Sequence, residues 1–103
     1  MKKVLIVTTL TLCSLSLTPV QAAGDAATGA NTFNSRGCVG CHGPSGKKPL
    51  GEYPVIGGKP ADFLAAELNK FRSGERQNPI MGPMAAGLSD ADVDNLAAYL
   101  ATQ

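Results

Sequence analysis

Residues 38–42, Cys38-Val39-Gly40-Cys41-His42, decide how the rest of this chain is read. Two thiols about one helical turn apart can each add an S–H across one of the two vinyl groups on a porphyrin edge. The next residue, His42, then projects over the ring plane, where a ring nitrogen can reach the iron. Small Gly40 lets the backbone lie close to the macrocycle. The pattern C-x-x-C-H is the attachment signature of haem c (heme c), here one iron porphyrin per chain.

Other chemistries use the same residue types. A structural zinc site wants four ligands, usually with a second Cys or His pair, and His42 is the sole histidine. A thioredoxin-like dithiol wants the motif at a strand-to-helix junction, yet no stretch alternates with period two. A disulfide between Cys38 and Cys41 would close a tiny loop and add little stability. Haem is the reading these comparisons leave in front.

Before the motif, Lys2 and Lys3 open the chain, Val4 to Leu17 is uncharged and mostly apolar, and Pro19 precedes the small-residue exit Val20-Gln21-Ala22. This is the layout of a secretory signal peptide, expected over residues 1–22 with cleavage after Ala22. The apolar stretch is short for a bilayer span and no stop-transfer segment follows, so stable membrane insertion is not expected. The expected location is the periplasm, where thioether attachment of haem takes place.

Residues 23–103 then form one domain. Removing the leader takes away Lys2, Lys3 and no acid, leaving seven basic against eight acidic side chains, a net charge of −1. That balance argues against nucleic acid as a partner, since phosphate contacts require clustered Lys and Arg. With no Trp, three Phe and two Tyr, the mature chain has a thin core for its length. Chains this small often need a staple, and a covalent porphyrin would supply a large apolar body.

The rest of the sequence predicts an all-α fold. Asp25 caps a first helix over Ala26 to roughly Ser35, with Gly29 and Phe33 on one face. Gly37 to Gly58 reads mostly as loop, and Pro60 suits the first turn of a second helix carrying Phe63, Leu64, Leu68 and Phe71, stopped at Gly74. Glu75 to Gly87 reads as loop again. Ser89 caps a last helix whose stripe is Val93, Leu96, Ala97 and Leu100. A second histidine ligand is lacking, so methionine is the natural sixth donor to iron. Met81 and Met84 both lie ahead of the last helix, and spacing leaves the choice between them open.

With these residues in hand, the chain resembles the small soluble class I c-type cytochromes of bacteria, along nearly the whole mature length. It is similar to the units of two-domain cytochromes and to the haem subunits of sulfide-oxidising flavocytochromes. The resemblance rests on Cys38 to His42, Tyr53-Pro54-Val55-Ile56-Gly57-Gly58, Phe71 to Arg76, Asn78 to Met84, and Leu88 to Asp92 followed by Leu96-Ala97-Ala98-Tyr99. It implies three main helices and loops wrapped around one haem. It implies Met81 as the iron ligand, Pro54 as the carbonyl that accepts the histidine's free N–H, and Ile56 packed on the haem. It also implies a close crossing of the first and last helices at Gly29 and Phe33.

Two departures stand out: Gly57-Gly58 makes the loop after Ile56 unusually permissive, and the first helix is rich in weak helix formers. The function implied is one-electron transfer between a donor and an acceptor protein, with no catalysis by this chain. The alternative is a haem subunit held in a dehydrogenase complex, against a flavoprotein partner.

Overall fold

A computed structural model describes residues 24–103 and four isolated positions before them, 4, 6, 11 and 14. The expected leader and its exit at Ala22 otherwise lie outside the described residues. Among the described residues there is no strand, and no helix is long and apolar enough to cross a membrane.

Five helices follow in order: α1 (Ala26–Ser35), α2 (Cys38–His42), α3 (Ala61–Ser73), α4 (Met81–Ala86) and α5 (Asp90–Ala101), with a 3₁₀ turn at Pro44–Gly46. The three long ones are the three expected. Asp25 starts α1 by accepting from the Ala27 N–H at 2.9 Å, while its own N–H donates to the Asn95 side chain at 2.7 Å. Ser89 and Asp92 form a reciprocal capping box on α5, each bond 3.0 Å long.

The core is the crossing of α1 on α5, closed on one side by α3. Gly29 faces the α5 backbone directly: a Cβ there would overlap the Asn95 carbonyl. This close approach lets Phe33 sink to 1% exposure, its ring 5.6 Å from that of Tyr99. Val93, Leu96, Ala97 and Leu100 are all buried, so the whole expected stripe of α5 faces inward. The weak helix formers of α1 are tolerated because packing against α5 stabilises that helix.

Three expectations change. In α3, Leu64 is buried and Leu68 packs on the core, but Phe63 is 48% exposed beneath the Lys59 ammonium. Adjacent helical residues are about 100° apart, so one stripe takes Leu64 with Leu68 and turns Phe63 outward. The stretch expected as loop from Glu75 to Gly87 contains α4. Its Pro83 falls in the first turn, where a missing N–H is harmless. Gly57-Gly58 is a docking point rather than a loose one. Gly57 is buried, and a Cβ on it would overlap the Ser45 carbonyl. The Gly58 N–H donates to the Leu100 carbonyl at 2.7 Å.

Candidate haem site

The five residues of α2 sit between two glycines with positive φ. Gly37 (φ 78°) ends the turn after α1, and Gly43 (φ 76°, ψ 175°) reverses the chain immediately after His42. The second conformation is essentially restricted to glycine, and a Cβ at Gly43 would also overlap the Lys48 carbonyl. The reversal brings the Leu50 N–H to the Cys41 carbonyl at 3.0 Å, so the following loop folds back beside the helix.

That loop carries Pro54 to the histidine. His42 is 7% exposed, and its Nδ1 lies 2.9 Å from the Pro54 carbonyl oxygen. A carbonyl only accepts, so Nδ1–H donates, and in the neutral ring Nε2 holds the lone pair. Within the described chain Nε2 makes no hydrogen bond. No fully buried side-chain nitrogen or oxygen there lacks a partner, so Nε2 keeps an accessible surface. The histidine is thus oriented on one edge and free to donate an electron pair on the other. The Tyr53 ring stands edge-on to it, 6.4 Å between centroids.

Cys38 and Cys41 are both half-buried free thiols. Burial pushes the Cys38 thiol above its ordinary range, with its backbone hydrogen bond and nearby Arg36 opposing. Among the described residues no three His, Cys, Asp or Glu side chains group tightly enough to hold a bare metal ion. Two thiols one helical turn apart, followed directly by an imidazole, suit a ligand that is bonded at separate points, as a porphyrin edge and its iron are.

Ile56 is half-buried against the core, and its N–H donates to the Gly46 carbonyl at 2.9 Å. Among the expected residues of this segment the structure brings His42 and Pro54 into contact, while Cys38, Cys41 and Ile56 are partly buried along the same stretch. Met81 arrives separately on α4, which packs on α3. It is half-buried, whereas Met84 one turn later is 39% exposed. The segments around both expected iron ligands also expose apolar side chains: Leu50, Tyr53 and Val55 after His42, Ile80 and Met84 beside Met81. Apolar surface flanking a nitrogen donor and a thioether fits a flat, largely apolar macrocycle.

Reading the sequence alone gave no role to Asn78. Its side-chain oxygen accepts from the Ile80 and Met81 N–H groups, each at 2.9 Å, and its backbone carbonyl accepts from Gly82 at 2.9 Å. The signal was present, since Asn followed by Pro is a helix-start pair.

The profile of the cytochrome c family matches residues 26–103. The chain is 39% identical over 84 residues to cytochrome c-554(548) of Halomonas halodenitrificans, covering 79% of this chain and 99% of that one. It is 40% identical over 76 residues to the thiosulfate dehydrogenase electron acceptor of Stutzerimonas stutzeri, covering 71% of this chain and 35% of that protein. The solved structure of Acidithiobacillus ferrooxidans cytochrome c4 superposes with a TM-score of 0.70 at 28% identity, covering 76% of this chain and 49% of that one. The chain therefore spans nearly all of the first relative but only a third to a half of the other two proteins.

Proposed function

The chain belongs to the cytochrome c family, and on that premise we propose that it is an exported one-electron carrier with His42 and Met81 as the two axial ligands of its iron. Haem c is its cofactor and electron transfer its activity, as in the family at large. When bound, the haem supplies a single iron that exchanges one electron between ferrous and ferric forms.

The chain's own residues do the rest. Cys38 and Cys41 hold the porphyrin edge, and the Pro54 carbonyl holds the Nδ1 proton of His42, which orients the ring and strengthens Nε2 as a donor. Ile56, half-buried against the core, would pack on the macrocycle. Met81 would supply the thioether sulfur as the second ligand, a soft donor that favours the ferrous state. The working domain is then residues 23–103, released in the periplasm by cleavage after Ala22.

The observation that carries this reading is the 2.9 Å contact from His42 Nδ1 to the Pro54 carbonyl, with Nε2 left available. The ferric holoprotein should show the weak far-red absorption band of an iron–methionine sulfur bond. Met81→Ala should abolish that band and Met84→Ala should keep it; the reverse pattern overturns the ligand assignment. Intact mass on the exported protein should equal residues 23–103 plus one haem.

A second reading is a haem subunit within a dehydrogenase complex. It is favoured by the relative named as the electron acceptor of thiosulfate dehydrogenase. Gel filtration of native extract separates the two: co-elution with a larger redox protein, a flavoprotein among the candidates, supports the complex, and a species near monomer mass supports the free carrier.

A further inference from the structure

The start of α4 is held by one side chain. Asn78 Oδ1 accepts from both the Ile80 and the Met81 N–H, each at 2.9 Å, and its carbonyl accepts from Gly82. Pro79 follows with φ preset by its ring, so the chain enters α4 along a single path. Ala85, fully buried, anchors the far end of the helix.

We infer that Asn78 is the positioning residue for the sixth iron ligand: its side-chain carbonyl pins the Met81 peptide and so sets how often the Met81 thioether leaves the iron. The inference rests on Met81 being that ligand. A cap of this kind lost to alanine shifts a local opening equilibrium about fivefold, the equivalent of about 1 kcal/mol. The opening that matters here is that of the α4 entry alone, so it is local and does not require the α1–α5 core to unfold.

The test uses ferric holoprotein and imidazole, which competes for the sixth position and removes the far-red band when it binds. Asn78→Ala should bind imidazole about fivefold more tightly than the parent. Asn78→Gln, which keeps the amide but displaces its oxygen by one methylene, should behave likewise and serves if the alanine variant loads poorly. Asn78→Asp retains an acceptor at the same atom and should restore the parental affinity. Ser89→Ala removes a comparable cap from α5 and should lower the unfolding midpoint without changing imidazole affinity.

If Asn78→Ala and Asn78→Gln both bind imidazole as the parent does, while Met81→Ala abolishes the band, the positioning role is wrong and the ligand assignment stands. If Met81→Ala keeps the band, the ligand assignment itself is wrong.

Discussion

Gly29→Ala tests whether the α1–α5 crossing is as close as the backbone places it. The added Cβ would overlap the Asn95 carbonyl and stand 2.8 Å from the Tyr99 Cβ. Neither neighbour is the end of a flexible side chain, so the helices themselves must separate. Overpacking of this kind costs about 1–3 kcal/mol, and backbone as the obstacle puts Gly29 at the upper end. Alanine returns about 1 kcal/mol of helix propensity, since Gly29 has ordinary helical φ. The net expectation is a loss of about 1–2 kcal/mol.

For a domain of this size that lowers the melting temperature by about 4–16 °C. Guanidinium unfolding of the ferric holoprotein, followed by far-ultraviolet circular dichroism, gives the midpoint and slope together. Asn31→Ala is the companion, on the exposed side of the same helix, where only the propensity gain of about 0.5 kcal/mol should register. A Gly29→Ala midpoint equal to or above that of Asn31→Ala would refute the close crossing.

The remaining expectations concern the core, the turn after the motif and the α5 cap. Phe33→Ala should cost about 3–5 kcal/mol, enough to leave much of the chain unfolded by calorimetry at 37 °C. Gly43→Ala should cost about 1–3 kcal/mol in strain alone and lower the haem content of exported protein, measured by pyridine haemochrome. The Ser89 N–H bonded to Asp92 holds that carboxyl below the ordinary carboxylate range, with burial opposing and Arg36 and Arg72 assisting. A carboxyl depressed in the folded state stabilises it fully above the ordinary range, and the benefit fades as pH falls through the lower folded value. Stability of the parent should therefore drop below about pH 4 more steeply than that of Asp92→Asn, as unfolding midpoints across pH would show.

What could be read from the sequence follows the range of the interaction concerned. The caps Asp25 and Ser89 and the stripe of α5 are local patterns, and the long helices lie where those patterns put them. The Cys38 to His42 motif is local as well. Helix α4 was hidden because Gly82 and Pro83 count as breakers by composition. Only the position of Pro83 within the first turn of α4 makes it harmless, and the turn leading into that helix is held by the Asn78 side chain. The Pro54 carbonyl is a backbone acceptor twelve residues from His42, with no side chain to announce it. Residue pattern could not single it out, and only resemblance to a family pointed there. The close approach at Gly57 belongs to the same class, because a glycine needed for space and one needed for looseness are written alike.

The same distinction explains how the histidine is held. Its orientation depends on the Pro54 carbonyl, and Pro54 itself is exposed, with no apolar packing of its own. What fixes the carbonyl is a run of backbone bonds on either side: Leu50 to Cys41, Ile56 and Gly57 to Gly46, then Gly58 to Leu100 at the end of α5. Close approach accompanies these bonds at Gly43 and Gly57, where a Cβ would overlap the Lys48 and Ser45 carbonyls, and at Gly46, where it would crowd Ile56 and Leu100. Leu100 is buried in the α1–α5–α3 core, so the chain of peptide groups transmits the rigidity of that core to the imidazole. The imidazole is thereby anchored on packed helices although the segment after it is mostly loop, and Leu50 and Val55 of that loop stay exposed.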